Sequence, residues 1–395
     1  MTSAQAPRSQ ARPSLLRRLN ERAILTALQR HGPHSRAELT RLTGISGPTV
    51  TRAVTTLIDA RLLEEDEPQS SGLGRPGKVL RLARDGVGVV GVVVGGRTTE
   101  ILRAGLDGVV DEHNVVAVPT GVDYAAWIRD VADVVRRVIE SPDQEILGVG
   151  VSLPGLYDAR SERSLVSPNV SLTNGHRVGP DLQAALERDV EVTVLQECDA
   201  LCVAEQAHGA ARDVLDFAMV DISEGLGLGV VERGKLLEGH SGLAGELGHV
   251  TVELNGRLCG CGNRGCLETV ATDTVLLERV SERIGESLTM DDLLARAAAG
   301  RLDIDAELDE VVAYLGVGLA AVINLFNPAR LFVYGRLFDA KPGLFERVVE
   351  ETGRRALRPS REDCQVIRAR GNKRLGAVAA AIHPLTRGRG EPVAR

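Results

Sequence analysis

The chain has 395 residues, 43% hydrophobic and 26% charged, with a formal net charge of −7, which is ample apolar content for more than one globular core. Aromatic residues make up only 3%, too few for the stacking platforms that hold single-stranded nucleic acid, and no uncharged apolar run approaches the ~20 residues of a membrane span. Arg8, Arg12, Arg17 and Arg18 surround no apolar stretch of the kind a secretory leader needs, and six cysteines, three of them crowded into Cys259–Cys266, read as metal ligands in a reducing cytoplasm rather than as a disulfide framework.

The charge is unevenly spread. Up to Asp85 there are 14 Lys and Arg against 8 Asp and Glu, whereas the remainder has 33 against 46. A basic head on an acidic body predicts a nucleic-acid-binding module joined to one that binds none; a solvated surface bias is the competing explanation.

Residues 1–14 form a polar arm, expected to be disordered. Three helical segments follow within the head, 15–84. Ile24, Leu25 and Leu28 set the apolar face of the first, which ends near His31-Gly32-Pro33. Ser35 can cap the second, with Leu39 and Leu42 inward. Gly44 supplies a tight turn, Ile45 plugs the core, and Ser46 caps a third helix with Pro48 in its first turn. Val50, Val54, Leu57 and Ile58 repeat at the spacing of one buried helical face. Helix, short glycine turn and helix make a helix-turn-helix, with Thr49, Arg52, Ala53 and Thr56 outward on the reading helix. Thr49 and Arg52 lie where side chains reach base edges in a major groove. A helical bundle that binds protein would show the same periodicity, but the next segment favours DNA. Two strands, Leu62-Leu63-Glu64 and Val79 to Leu82, flank Ser70 to Lys78, a basic glycine loop that reads as the wing of a winged helix. Arg75, between Gly74 and Pro76, suits a minor groove, and Lys78 a phosphate. A plain linker is the alternative for the loop alone.

The body is expected to be α/β. Val87 to Val94, Ile101 to Leu106 and Val109 to Val118 read as strands, with a turn at Asp107-Gly108. Asp123 to Glu140 reads as an amphipathic helix and Ile146 to Val151 as a buried strand. Strands at Phe217 to Ile222, Leu228 to Glu232 and Arg330 to Tyr334 repeat the theme, predicting two lobes with a cleft between them.

His249, followed after nine residues by Cys259-Gly-Cys261 and Cys266, offers one imidazole and three thiolates, the ligand set of a closed structural zinc site, one ion per chain. Cys198, Cys202 and Cys364 are left as free thiols. Glu246 upstream and Glu268 downstream are pinned to the same loop system. Carboxylates held rigid beside a histidine suit sugar hydroxyls; the structural alternative is that they only solvate the metal loop.

These residues carry a resemblance. His249-x9-Cys259-x-Cys261-Gly262-x2-Gly265-Cys266-x-Glu268 matches the signature of the ROK family (repressors, open reading frames and sugar kinases), and residues 20–82 resemble the winged helix-turn-helix of its repressor branch. The similarity runs from about residue 15 to 385. It implies an actin-like, hexokinase-like (ribonuclease H-like) body over 85–395, with one lobe at about 85–197 plus 376–390 and the other at about 198–375. It also implies assembly as a homodimer or homotetramer. The positions matching the family's sugar site are Gly155, Asn169, Asp199, Glu246, His249 and Glu268, with His249 serving sugar and zinc together. In the kinases the acid at Asp199 takes the proton of the sugar hydroxyl, so here Asp199 is a vestigial catalytic residue; a helix N-cap is its structural alternative. Cys198 stands where the family has a sugar-binding Asn. The phosphate-binding parts depart from the kinase pattern: Val93 replaces the acid of the first phosphate loop, Glu224 sits in the second, and Arg336 replaces a glycine near the nucleotide base. The expected function is therefore not catalytic. It is regulation of carbohydrate genes by binding double-stranded operator DNA, modulated by a sugar or amino-sugar effector and without membrane attachment. An ATP-dependent sugar kinase with an appended head is the alternative.

Overall fold

The computed structural model describes residues 11–66, 78–141, 144–369 and 372–387. The head is built from α1 (Ala11–His31), β1 (His34–Ser35), α2 (Arg36–Thr43), α3 (Gly47–Asp59), β2 (Leu63–Asp66) and β3 (Val79–Leu82), with its strands in the order β1-β3-β2. Ser35 and Glu38 close a reciprocal capping box on α2, and Gly44, at φ 68°, ends that helix and turns the chain into α3. Ser46 occupies the N-cap of α3, yet its hydroxyl bonds Thr49 Oγ1 at 2.9 Å instead of a backbone amide. Two expectations fail here. Ala53 is buried, because α3 packs against both α1 and α2 and its inner face widens to include it. Leu42 is exposed, because α2 ends one residue later and has no further turn to cover it.

The first lobe contains β4 (Val87–Val94), β5 (Thr98–Gly105), β6 (Val116–Pro119), α4 (Tyr124–Ile139), β7 (Glu145–Leu153), the small hairpin β8 (Leu156–Asp158) and β9 (Arg163–Val166), α5 (Val178–Leu186), β10 (Glu191–Gln196) and α6 (Glu197–Ala207). Its main sheet runs β10-β7-β4-β5-β6, with β4, β7 and β10 parallel. The strand expected from Val109 begins only at Val116: Val110 makes a single bridge to Ala104, and a 3₁₀ turn at Glu112–Asn114 interrupts the extended backbone.

The second lobe follows with β11 (Phe217–Asp221), β12 (Gly227–Glu232), β13 (Lys235–Leu236), α7 (Asp273–Ile284), α8 (Met290–Ala298), α9 (Asp305–Phe326), β14 (Arg330–Tyr334), α10 (Leu344–Arg355), α11 (Arg358–Asp363) and β15 (Gln365–Arg368). Its sheet runs β13-β12-β11-β14-β15, so both lobes share one strand order counted from their first strand. Finally α12 (Lys373–Arg387) returns to pack on β4 and β7. Among the described residues α9 is the one helix long and apolar enough to span a membrane. Its uncharged stretch from Val311 runs counter to the expectation that the sequence holds none of that kind, and the fold uses it as a core helix with Leu315, Leu319, Val322 and Ile323 buried.

Apolar burial does not stop at the head. Ile24, Leu28, Leu39, Val54 and Leu80 of the head belong to one cluster with Val87, Val89 and Val93 of β4 and Ala377 and Val378 of α12. The other face of the same sheet packs on α4 and α5 through Val90, Val92, Val131 and Leu182. Alternate side chains of β4 thus enter separate cores, as a strand's period of two requires.

Candidate functional site

The cleft opens where the parallel strands of both sheets end. The segment after β7 contributes Pro154 and Gly155, β10 ends at Gln196, β11 ends at Asp221, and the loop before β12 adds Gly225 and Leu226. Five of the six expected sugar-site residues line this one cavity: Gly155, Asn169, Glu246, His249 and Glu268. Asp199 does not line it. Asp199 lies in the first turn of α6 rather than at its cap, a position Gln196 holds because α6 begins three residues earlier than the sequence indicates. Burial, with the Glu238 carboxylate nearby, pushes the Asp199 carboxyl up to about 7. Cys198 does line the cavity, as do Glu197 and Asp221, which sequence reasoning missed.

Glu246 and Glu268 are each set in a 3₁₀ turn system, Leu247–His249 and Leu267–Thr269. Glu268 Oε2 accepts the Leu226 amide at 3.1 Å, which fixes its carboxylate on the second-lobe loop. Gly225 must be small here: a Cβ would fall 2.7 Å from Glu268 Oε2 and 3.2 Å from Asn169 Nδ2. Burial, then the Glu268 and Asp199 carboxylates, push Glu246 up to about 7. Among the described residues that line the cleft there is no Lys or Arg.

The four residues of the metal motif converge. His249, Cys259, Cys261 and Cys266 present ligand atoms within 4.8 Å of one another, with His249 Nδ1 3.6 Å from Cys259 Sγ and Cys261 Sγ 3.7 Å from Cys266 Sγ. Ligands about 2.3 Å from a central zinc would sit at separations of about 3.8 Å along a tetrahedral edge, so donor set and spacing both fit that ion. His249 turns its other nitrogen, Nε2, toward Glu246 at 3.7 Å. One imidazole therefore has one face for a metal and one for the cleft. All six cysteines are unpaired.

Val93 and Arg336, which depart from the kinase pattern, are engaged within the protein, and Lys373 is ion-paired beside the cleft. Val93, 7% exposed, packs into the core shared with the head. Lys373, at the start of α12, reaches Glu197 at 2.8 Å and Asp221 at 3.7 Å. Burial opposes its charge, yet the two carboxylates hold its ammonium above the ordinary range. The Arg336 side chain pairs with Asp291, and its amide donates to the buried Asp273 carboxylate.

On the head, Ser46, Pro48 and Arg52 are exposed and Thr49 is half-exposed along the N-terminal part of α3. Lys78 pairs with Glu65 at 2.7 Å, and Glu65 also takes Arg36 at 2.6 Å. These two hydrogen bonds hold the Glu65 carboxyl below its usual range. Arg75 and the rest of the expected wing tip, 67–77, lie outside the described residues.

The comparisons with known proteins agree with this architecture. A model of the ROK family matches residues 89–385, and one of the MarR family matches residues 18–70. The chain is 28% identical over 386 residues to the DNA-binding transcriptional dual regulator NagC of Escherichia coli, covering 93% of each chain. It is 27% identical over 348 residues to the xylose repressor of Bacillus spizizenii, covering 87% of this chain and 88% of that one. Among solved structures, a ROK family transcriptional regulator, a homologue of the E. coli MLC protein, matches with a TM-score of 0.78 and 25% identity over 94% of this chain and 97% of that one. A ROK family glucokinase of Streptomyces griseus shares the fold of the body, with a TM-score of 0.67 and 22% identity over 74% of this chain and 98% of that one. With a MarR-type winged helix ahead of a two-lobed actin-like body, the chain belongs to the ROK family.

Proposed function

We propose that this chain is a transcriptional repressor that binds double-stranded operator DNA through α3 and the wing, and that a sugar in the cleft modulates that binding. The observation that carries the reading is the pairing of a winged helix, continuous in core with the first lobe, with a body in which Val93, at the acid's position in the kinase pattern, is packed into that core and Lys373 is held by Glu197 and Asp221. Regulation needs a bound sugar and a moving lobe; phosphoryl transfer needs metal-nucleotide ligands in addition. Its curated relatives among the repressors support the same reading over nearly their full length.

In this reading Asn169, Glu246, His249 and Glu268 hold the sugar hydroxyls, with Gly155 in the cleft wall and Asp199 off the lining but close enough to act on Glu246. His249, Cys259, Cys261 and Cys266 hold one zinc per chain, which stiffens the loop carrying Glu246 and Glu268. Ser46, Thr49, Arg52 and Arg75 contact DNA, Pro48 sets the first turn of α3, and Lys78 stands at the base of the wing. Two heads in a homodimer, or four in a tetramer, would read two-fold-related half-sites spaced by whole turns of the duplex. The reading favours an unphosphorylated effector: four carboxylates line the cleft, and the ammonium beside them, that of Lys373, is already paired with Glu197 and Asp221.

Two measurements test the proposal. Calorimetric titration with D-xylose, D-glucose, N-acetylglucosamine and their phosphates should give binding for a free sugar only. A coupled assay should detect no sugar-dependent ADP formation. ADP formation with any hexose, lost in Asp199→Asn, would refute the repressor reading in favour of a kinase.

A further inference from the structure

We propose that α6 and the connection after it, residues 208–213, couple the cleft to the head; this rests on the regulatory reading above. The N-terminal end of α6 belongs to the cleft, since Glu197 and Cys198 line it. The helix lies directly on the backbone of β12: a Cβ on Gly227 would fall 2.5 Å from Cys198 Sγ, and one on Gly229 would fall 2.6 Å from Cys202 Sγ. Its other side packs on α12, where a Cβ on Gly376 would approach Ala200 to 3.4 Å. Contact this close leaves little slack, so a shift of either lobe's wall at the cleft moves the helix as a body.

The far end of α6, about 16 Å away by helical rise, meets three different parts of the molecule. His208 docks under the first-lobe turn: its buried ring fills the space a Gly108 side chain would take, with ring atoms 2.5–2.8 Å from that Cβ position. Gly108 is at φ 80°, so glycine is required there on both counts. The Ala210 carbonyl accepts from Arg330 at the start of β14, which ties the connection to the second lobe. Asp213 faces His31, the last residue of α1, with 3.9 Å between Oδ1 and Nδ1, and α1 also lies against α6 itself. The head is fixed to the first lobe by a shared apolar core. The contact at 208–213 gives it a second footing, on the segment that leads into the second lobe. A cleft that closes changes the distance between these two footings, and the orientation of α3 follows.

The test separates binding from coupling. Operator DNA is selected from a random library by the wild-type chain, and its affinity is measured with and without whichever of D-xylose, D-glucose and N-acetylglucosamine binds by calorimetry. His208→Ala and Asp213→Ala are compared with the wild type and with Arg137→Ala, on the exposed face of α4, as control. Both variants should keep sugar affinity and sugar-free DNA affinity within about threefold, while the sugar-induced change in DNA affinity falls at least fivefold. Asp213 is exposed, so its removal leaves the core untouched and decides the matter if His208→Ala folds poorly. A sugar response unchanged in both variants would refute the coupling alone. A wild-type chain that binds sugar and DNA independently would refute the regulatory reading and the coupling with it.

Discussion

Replacing Lys373 by methionine removes the one ammonium that faces both Glu197 and Asp221 while keeping most of the side-chain volume. At an effective dielectric constant of about 20, separations of 2.8 and 3.7 Å correspond to gross attractions of about 6 and about 4.5 kcal/mol. Desolvation of three charges offsets most of this, and deleting one partner of a buried ion pair costs about 3–5 kcal/mol because the remaining charge is stranded. About a fifth of the Lys373 side chain reaches solvent (21%), which places the expected loss at the low end, about 3 kcal/mol. At roughly 1–2 °C per kcal/mol for a chain of this length the melting temperature should fall by roughly 3–6 °C at pH 7.5. The pH dependence carries a sign. Burial, only partly countered by Lys373, pushes Glu197 up to about 7. A carboxyl raised in the folded state contributes stability while it is protonated, and that contribution fades as pH rises from about 4.5 through about 7. Without the ammonium the Glu197 carboxyl is pushed higher still and the fading extends to higher pH, so the deficit of the variant should grow from pH 5.5 to pH 7.5. Thermal melts by circular dichroism at pH 5.5, 6.5 and 7.5 measure this. A melting temperature within 2 °C of wild type at pH 7.5, or a deficit independent of pH, would show that the three groups are solvated rather than interdependent.

Freshly purified protein should contain one zinc per chain by elemental analysis; Cys261→Ser should lose the metal and melt at a lower temperature, because structural zinc supplies folding free energy. Arg52→Ala should weaken operator binding by about 1–3 kcal/mol and relax sequence preference at one position per half-site; uniform weakening on all duplexes would make Arg52 a phosphate contact. Glu246→Ala should retain zinc and sugar-free DNA binding in gel shifts but lose the sugar's effect, and a response at the wild-type sugar concentration would place the effector elsewhere.

Much of this molecule is written in local pattern. The spacing of Val50, Val54 and Leu57 marks the buried face of α3, Ser35 and Glu38 mark the start of α2, and Gly44 marks its end. Each signal acts within a few residues, through the helical period, an N-cap hydroxyl or a positive φ. The same holds for His249 and the three cysteines, whose short spacing brings their donor atoms together within one loop system. Glu246 and Glu268 were legible as companions of that loop for the same reason.

What the sequence could not decide depends on which surface meets which. Ala53 looks as outward as Thr49 until α1 and α2 close on the same helix, and Leu42 looks inward until α2 ends beside it. Val93 reads only as a missing acid; folding makes it part of a core that joins the head to α12, nearly 300 residues later in the chain. Lys373 carries no local mark at all, since its partners Glu197 and Asp221 stand more than 150 residues away, and only the return of α12 across the first-lobe sheet brings their charges together. Sequence alone determined most of the elements, the set of His and Cys donors that converge and the winged-helix character of the head, because those rest on short-range geometry and donor chemistry. Tertiary packing decided which carboxylates line the cleft, how Val93 and Lys373 are engaged and where the head meets the body, because burial and charge pairing are properties of surfaces that exist only once the chain has folded.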